Sequence, residues 1–391
     1  MKNNRTFLEK LLDGAEVEWK PLKDILIRTK GTKITAAEMK VLHKDNAPLK
    51  IFAGGKTFAL VNFEDIPEKD INKNPSIIVK SRGIIEFEYY DKPFSHKNEM
   101  WSYYSNDKNI NIKYIYYVLK NQEPYFQNLG SKMQMPQIAT PDTDKYLVPI
   151  PPLSVQTEIV KILDALTTLT SELTSELILR QKQYEYYREK LLSFDSLEQL
   201  NSGGGKKKLI DVAYFQNGKG HEKNIDENGS FIVINSKFIS TNGTVKKYCN
   251  DQLVPLFKED ILIVMSDLPN GKALAKTFFV TEDNKYTLNQ RIGRITVKEG
   301  GELLPSFVNH FLNRNKQLTK YDNGTDQTNL RKDQILDVVI PIPPLEQQQR
   351  IVSILDKFET LTNSITEGLP LAIEQSNKRY KYYRELLLNF S

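Results

Sequence analysis

The chain has 391 residues, 39% hydrophobic and 26% charged. That is enough apolar mass for two or three domain cores, and too ordered a mix for disorder. One cysteine, Cys249, excludes a disulfide framework or thiolate zinc cluster and reads as a packed thiol, and the histidines at 43, 96, 221 and 310 are too scattered for an evident metal site.

Net charge is +5. Residues 1–150 hold 23 lysines and arginines against 19 acidic residues, and 206–340 hold 20 against 16. The segments 151–205 and 341–391 are acidic or neutral. A polyanion would meet the two large segments, although a surplus of this size is ordinary for a domain. The longest apolar runs fall far short of the ~18 residues of a membrane span. The start, MKNNRTFLEKLLDG, shows no signal h-region. The expectation is a soluble cytoplasmic protein without a membrane partner.

In chain order, Glu9-Lys10-Leu11-Leu12 matches the later Glu189-Lys190-Leu191-Leu192, so 1–14 reads as the tail of a helical repeat. Residues 77–79 and 84–87 are β-rich, and 112–119 have a helical pattern. From Val148 the chain reads VPIPPLSVQTEIVKILDALTTLTSELTSELILRQKQYEYYREKLLSF. Its Pro-rich lead-in is extended and fixes where the helix starts. Positions 159, 163, 166, 170, 173, 177, 180, 184, 187, 191 and 194 alternate steps of four and three, which is an a/d heptad seam. Gly203-Gly204-Gly205-Lys206-Lys207-Lys208 reads as a flexible linker. Beyond it, 231–234, 261–265, 277–280 and 292–297 read as strands and 305–316 as a helix.

The helical stretch recurs from Ile340 as IPIPPLEQQQRIVSILDKFETLTNSITEGLPLAIEQSNKRYKYYRELLLNF. Gln156, Ile159, Val160, Ile162, Leu163 and Asp164 return as Gln348, Ile351, Val352, Ile354, Leu355 and Asp356. Tyr184-x-Tyr186-Tyr187-Arg188-Glu189 returns as Tyr380-x-Tyr382-Tyr383-Arg384-Glu385. Gly368 and Pro370 predict a kink or short break in the second copy. A lone stripe would expose its seam, so two copies in one chain bury each other, and the intervening domain makes the antiparallel pairing the simplest closed solution. Leu22-x-Asp24-Ile25 before Gly31 also returns, as Leu209-x-Asp211-Val212 before Gly218. The architecture is thus α/β: domains over 1–150 and 201–340 alternate with spacer helices over 151–200 and 341–391 that pair as an antiparallel coiled coil.

The doubled Pro-Ile-Pro-Pro-Leu-x-x-Gln, Ile-Val-x-Ile-Leu-Asp and Tyr-x-Tyr-Tyr-Arg-Glu make the chain resemble, from end to end, the specificity (S) subunit of type I restriction–modification systems. The resemblance implies two target recognition domains that read the halves of a split, asymmetric double-stranded DNA site. It implies helices that serve as spacer and as dock for two methyltransferase subunits, with restriction/translocase subunits joining them. Such a subunit has no catalysis of its own. S-adenosylmethionine, ATP and Mg2+ are then expected on the partners and no cofactor on this chain.

The residues agree with the lack of catalysis. Gly54-Gly55-Lys56-Thr57 approaches a phosphate-binding loop, but position 50 is Lys where the first glycine belongs. No Asn/Asp-Pro-Pro-aromatic motif of an amino-methyltransferase occurs. DNA readout needs Lys and Arg on phosphates and polar side chains at base edges. Candidates are Lys30, Lys33, Lys80, Arg82, Lys132, Gln134 and Gln137 in the first domain. In the second they are Lys219, His221, Lys272, Gln290, Arg291, Thr325, Gln327, Asn329 and Arg331. Solvated surface is the plain alternative for each. Gly31 and Gly83 would allow close backbone approach. Trp101, Tyr103 and Tyr104 stack on bases or belong to the core or an interface. Tyr184, Tyr187, Tyr380 and Tyr383 lie on the seam. Off the seam, Tyr186 and Tyr382, with Arg188 and Arg384, are the partner-docking candidates. The competing class is a coiled-coil protein-interaction scaffold that does not read DNA.

Overall fold

A computed structural model describes residues 6–131, 134–200, 205–221, 223–269, 271–364 and 366–390. In chain order the main elements begin with α1 (Phe7–Leu12), β1 (Glu18–Pro21), β2 (Ile27–Lys30), β3 (Leu49–Phe52), β4 (Phe58–Val61) and β5 (Ser76–Lys80). Next come β6 (Glu86–Tyr90), β7 (Phe94–His96), β8 (Trp101–Tyr104), α2 (Ile112–Asn121), β9 (Leu147–Ile150) and α3 (Leu153–Leu191). The second half holds β10 (Lys206–Lys208), β11 (Ala213–Asn217), β12 (Phe231–Ile234), β13 (Tyr248–Cys249), β14 (Ile261–Val264), β15 (Ser266–Asp267) and β16 (Thr277–Phe279). It ends with β17 (Tyr286–Leu288), β18 (Ile292–Val297), α4 (Pro305–Leu312), β19 (Thr328–Asn329), β20 (Val339–Pro341), α5 (Leu345–Asn363) and α6 (Gly368–Leu388). Two compact units result: Met1–Glu172 with Ile373–Ser391, and Leu173–Ala372.

The first unit has a four-stranded sheet, β2-β8-β5-β6, and a three-stranded sheet, β4-β3-β7, in which β3 runs parallel to β7. All five residues of β5 are buried, as a central strand built on the apolar run Ile77–Val79 requires. Asn111 caps α2 by accepting from the backbone N–H groups of Lys113 and Tyr114. The buried face of α2 (Tyr114, Ile115, Val118, Leu119) meets Ile77, Val79 and Phe87 of the sheet. Each such side chain contributes about 1.5–3 kcal/mol.

The second unit repeats this plan strand for strand: β11-β18-β14-β16 beside β13-β12-β17, with β12 parallel to β17. The expected α/β pair of domains is therefore present.

The helices pair antiparallel within each unit. In the first, Ile159 and Leu163 of α3 share a core with Tyr380, Tyr383 and Leu387 of α6, and Thr170 Oγ1 lies 2.8 Å from Ser376 Oγ. In the second, the rings of Tyr184 and Tyr187 pack 6.3 and 5.8 Å from that of Phe358 in α5. The doubled Pro-x-Pro-Pro-Leu-x-x-Gln explains itself here. Pro cannot extend the strand ladder, so β9 and β20 end in the proline run and α3 and α5 begin straight after it. Gln156, fully buried, accepts from Asn111 N at 2.9 Å and donates to Asn109 O at 3.0 Å and Pro151 O at 2.8 Å. Gln348, also fully buried, accepts from Leu304 N at 2.9 Å and donates to Glu302 O and Pro343 O, both at 2.7 Å. Each glutamine fastens the start of a long helix to the lead-in of α2 or α4.

Four expectations shift. Lys206-Lys207-Lys208 is not linker but β10, paired with β20; Gly203 and Gly204 lie outside the described residues. The strand expected over 84–87 starts at Glu86, because Gly83 turns the chain with φ +73° and leaves Ile84 exposed. The helix expected over 305–316 stops at Leu312, because Arg314 takes φ +56°. In the second long helix the break precedes the glycine. α5 ends at Asn363, and α6 opens on Gly368 at φ +79° with Pro370 in its first turn, where a missing N–H costs nothing. Ile365 lies outside the described residues.

His96 is fully buried, with Nδ1 donating to Lys97 O at 3.0 Å and Nε2 3.2 Å from Ser102 Oγ. Burial holds its pKa below the usual 6.5. The unfolded chain takes up this proton at a higher pH than the folded one. The stabilisation from keeping His96 neutral is full above 6.5 and is lost as pH falls below it. The first unit's melting temperature is expected to fall between about pH 7 and about pH 5, and less so in His96→Gln. Equal pH slopes for the two proteins in thermal unfolding would contradict this.

Candidate nucleic-acid interface

The register places the candidates at one end of each four-stranded sheet. In the first unit Lys30 faces Trp101, Trp101 faces Val79, and Lys80 faces Glu86. Just beyond this end, Arg82 Nε donates to Gln137 Oε1 at 3.1 Å, and the two residues form a β-bridge. In the second unit Asn217, Gly293 and Ile263 share a row. Beyond it, β15 pairs with β19, and Gln327 Nε2 donates to Ser266 Oγ at 2.8 Å.

The two ends match in register and differ in their side chains. Ser81 O accepts from Ile138 N as Met265 O accepts from Leu330 N, while Glu99 O accepts from the Ser81 hydroxyl and Arg291 O from Met265 N. Glu99 thus stands where Arg291 stands, and Arg82–Gln137 stands where Ser266–Asp267 meets Thr328–Asn329. Gly31 and Gly218 hold equivalent turns. A Cβ on Gly31 would lie 2.1 Å from His96 O, and one on Gly218 2.0 Å from Asn289 O. Glycine is required there for backbone packing.

Lys30, Lys33, Lys219, Lys272 and Arg291 are exposed and make no ion pair among the described residues. Gln134 and Gln290 are also exposed. Arg331 is exposed but pairs with Asp333 at 3.1 Å. Thr325 and Asn329 are exposed, Thr325 in a turn with Asn323 and Asp326. Lys132 lies outside the described residues.

Several candidates leave the set. Lys80 is buried and neutralised by Glu88 at 2.8 Å and Glu86 at 3.5 Å, so it is not a free cation for phosphate. His221 is fully buried, with Nδ1 donating to Lys219 O at 2.8 Å and Nε2 3.0 Å from Thr287 Oγ1, and so it props the turn. Trp101 and Tyr103 are buried against Thr143, to which Trp101 Nε1 donates at 3.1 Å, and are core. Burial and its bond to Asp144 raise the Tyr103 phenol well above 10. Among the docking candidates, Arg188 is turned inward, with Nη2 donating to His310 O and Asn313 O at the C-terminus of α4. Arg384 is partly buried, its guanidinium 5.6 Å from the Tyr380 ring centre. Tyr186 and Tyr382 are 59% and 61% exposed.

Residues missed in the sequence complete the surface. Ile84, Met135 and Leu268 are exposed apolar side chains at the same sheet ends. Lys237 and Lys247 join Arg291, Asn235 and Gln290 around a cavity of about 340 Å3 in the second unit. The Lys246-Lys247 pair was the one visible signal.

Two copies of one scaffold, each gathering exposed cations and amides at one sheet end, define a tandem recognition protein. The type I restriction modification DNA specificity domain family matches residues 15–180 and 201–375. A putative type I restriction enzyme specificity subunit of Haemophilus influenzae, S.HindORF215P, is 39% identical over 100% of both chains. The EcoR124I/EcoR124II specificity subunit of Escherichia coli is 33% identical over 98% of this chain and 97% of its own. The crystal structure of the S subunit from M. genitalium shares the fold, with a TM-score of 0.63 across 97% of this chain and 98% of that one at 17% identity. The chain belongs to the type I restriction–modification specificity family and is its DNA-recognition, non-catalytic component. Membership decides against the protein-only scaffold. No helix among the described residues is long and apolar enough to cross a membrane.

Proposed function

We propose that the chain reads a split, non-palindromic site on double-stranded DNA, one half per unit. The observation that carries this is the matched pair of sheet ends carrying unlike side chains. The first unit presents Lys30, Lys33, Arg82, Gln134 and Gln137; the second presents Lys219, Lys272, Arg291 and Gln327. Lysines position the phosphates, arginine suits guanine, glutamine suits adenine, and the exposed apolar side chains suit thymine methyl groups.

In this reading the chain directs two methyltransferase subunits to an adenine N6 in each half, and restriction/translocase subunits join the assembly. S-adenosylmethionine, ATP and Mg2+ belong to those partners. Tyr186 and Tyr382 are the proposed docking positions. The assembly works on DNA in the cytoplasm.

Arg82→Ala is expected to relax discrimination at the first half-site only, and Arg291→Ala at the second only, each by about 1–3 kcal/mol. Competition binding with either half-site altered is the measurement. Loss of both half-sites from one substitution would contradict separate readers.

A further inference from the structure

We propose that His310, Asp356 and Glu359 form a site for a first-row divalent cation of the zinc class in the second unit. His310 is in the last turn of α4, 2% exposed, and its Nε2 lies 2.6 Å from Asp356 Oδ1. Asp356 and Glu359 are three apart on α5 and share a face. One ligand atom from each of the three residues lies within 4.8 Å of the others. They line a cavity of about 610 Å3 in the same unit.

The sister unit shows what the arrangement lacks. At the equivalent place Asp164 is met by Lys113 Nζ at 2.7 Å and by the Tyr117 hydroxyl, and the position matching Glu359 is Thr167. One carboxylate there has one permanent cation. The second unit places two carboxylates beside one imidazole. Lys276 also lines the cavity and interacts electrostatically with Glu359, but its Nζ is held by Asn242 Oδ1 at 2.8 Å and Ser240 O at 3.3 Å, with no ion pair to the carboxylates among the described residues. A further oxygen, Asn309 Oδ1, is buried without a hydrogen-bond partner among the described residues, and Asn309 lines the same cavity.

One nitrogen and two carboxylate oxygens suit zinc and its neighbours better than Mg2+ or Ca2+, which favour all-oxygen shells. The exposed Asp356 and Glu359 side chains rotate to admit the ion, which replaces the proton held between His310 Nε2 and Asp356 Oδ1 and releases it to solvent. His43, His96 and His221 compete poorly. His96 and His221 engage both ring nitrogens, and the Nδ1 of His43 accepts from Leu60 N at 3.0 Å. The bound cation staples α4 to α5, fastening the second recognition module to its spacer helix.

The test is calorimetric titration of the tag-free full chain with zinc chloride, with magnesium chloride in parallel. One equivalent of zinc and no magnesium is the expected result. Glu359→Gln, an exposed change that leaves metal-free melting unchanged, weakens zinc by about tenfold or more. Asp356→Asn weakens zinc to a similar degree. No zinc uptake, or uptake indifferent to both substitutions, overturns the proposal and leaves the His310–Asp356 contact as a simple helix tether.

Discussion

Inserting one more Thr-Ser-Glu-Leu unit after Leu177 is expected to lengthen the unread gap of the DNA site by about one or two base pairs and to leave both half-sites unchanged. Thr170-Ser171-Glu172-Leu173 and Thr174-Ser175-Glu176-Leu177 are tandem copies, and α3 runs through both without a break. α3 covers Leu153–Leu191, and the leading stretch of the first unit ends at Glu172, within the first of the two copies. Four helical residues add about 6 Å and leave about 40° of excess rotation, a tolerable stutter. α5 and α6 are themselves separated between Asn363 and Gly368. Deleting a unit works in reverse. The recognition surfaces lie outside the repeat and keep their bases. Methylation motifs of the three lengths, compared side by side, give the readout; one gap shared by all three would show that α3 is not the ruler.

Gln348→Leu is expected to destabilise the second unit by about 3 kcal/mol, the cost of leaving one donor and two acceptors of the backbone unpaired in a dry site. For a unit of this size that lowers its melting temperature by about 6–12 °C. Leucine fills nearly the same volume, so packing loss is small and the hydrogen bonds dominate. Gln156→Leu acts in the same way on the first unit. Calorimetry resolves the two, since each substitution moves a different unit. A shift under about 2 °C would mean that water or backbone adjustment replaces the amide.

The helices were readable because their signals are local and doubled: a proline run, a seam of threes and fours, and matched tyrosines. The α/β character followed from apolar runs such as 261–265. The sheet order was not readable, because pairing β2 with β8 or β11 with β18 joins residues far apart in the chain. The glutamine repeat was visible, but not its role, since its partners Asn109, Asn111, Glu302 and Leu304 show no pattern. Lys80, His221 and Arg188 were misread for one shared reason. A polar residue looks solvated in a sequence until its partner is known, and these have Glu88, Thr287 and the end of α4. Arg82 and Gln137 lie 55 positions apart, yet the β-bridge joins them at one sheet end. His310 joined Asp356 only through the packing of α4 on α5.

Two like scaffolds with unlike surfaces are expected to read two different sequences. Methylome sequencing of a host that expresses this chain with its methyltransferase subunit measures that directly. The expected motif is interrupted and non-palindromic, with a methylated adenine in each half. An uninterrupted or palindromic motif would contradict the account.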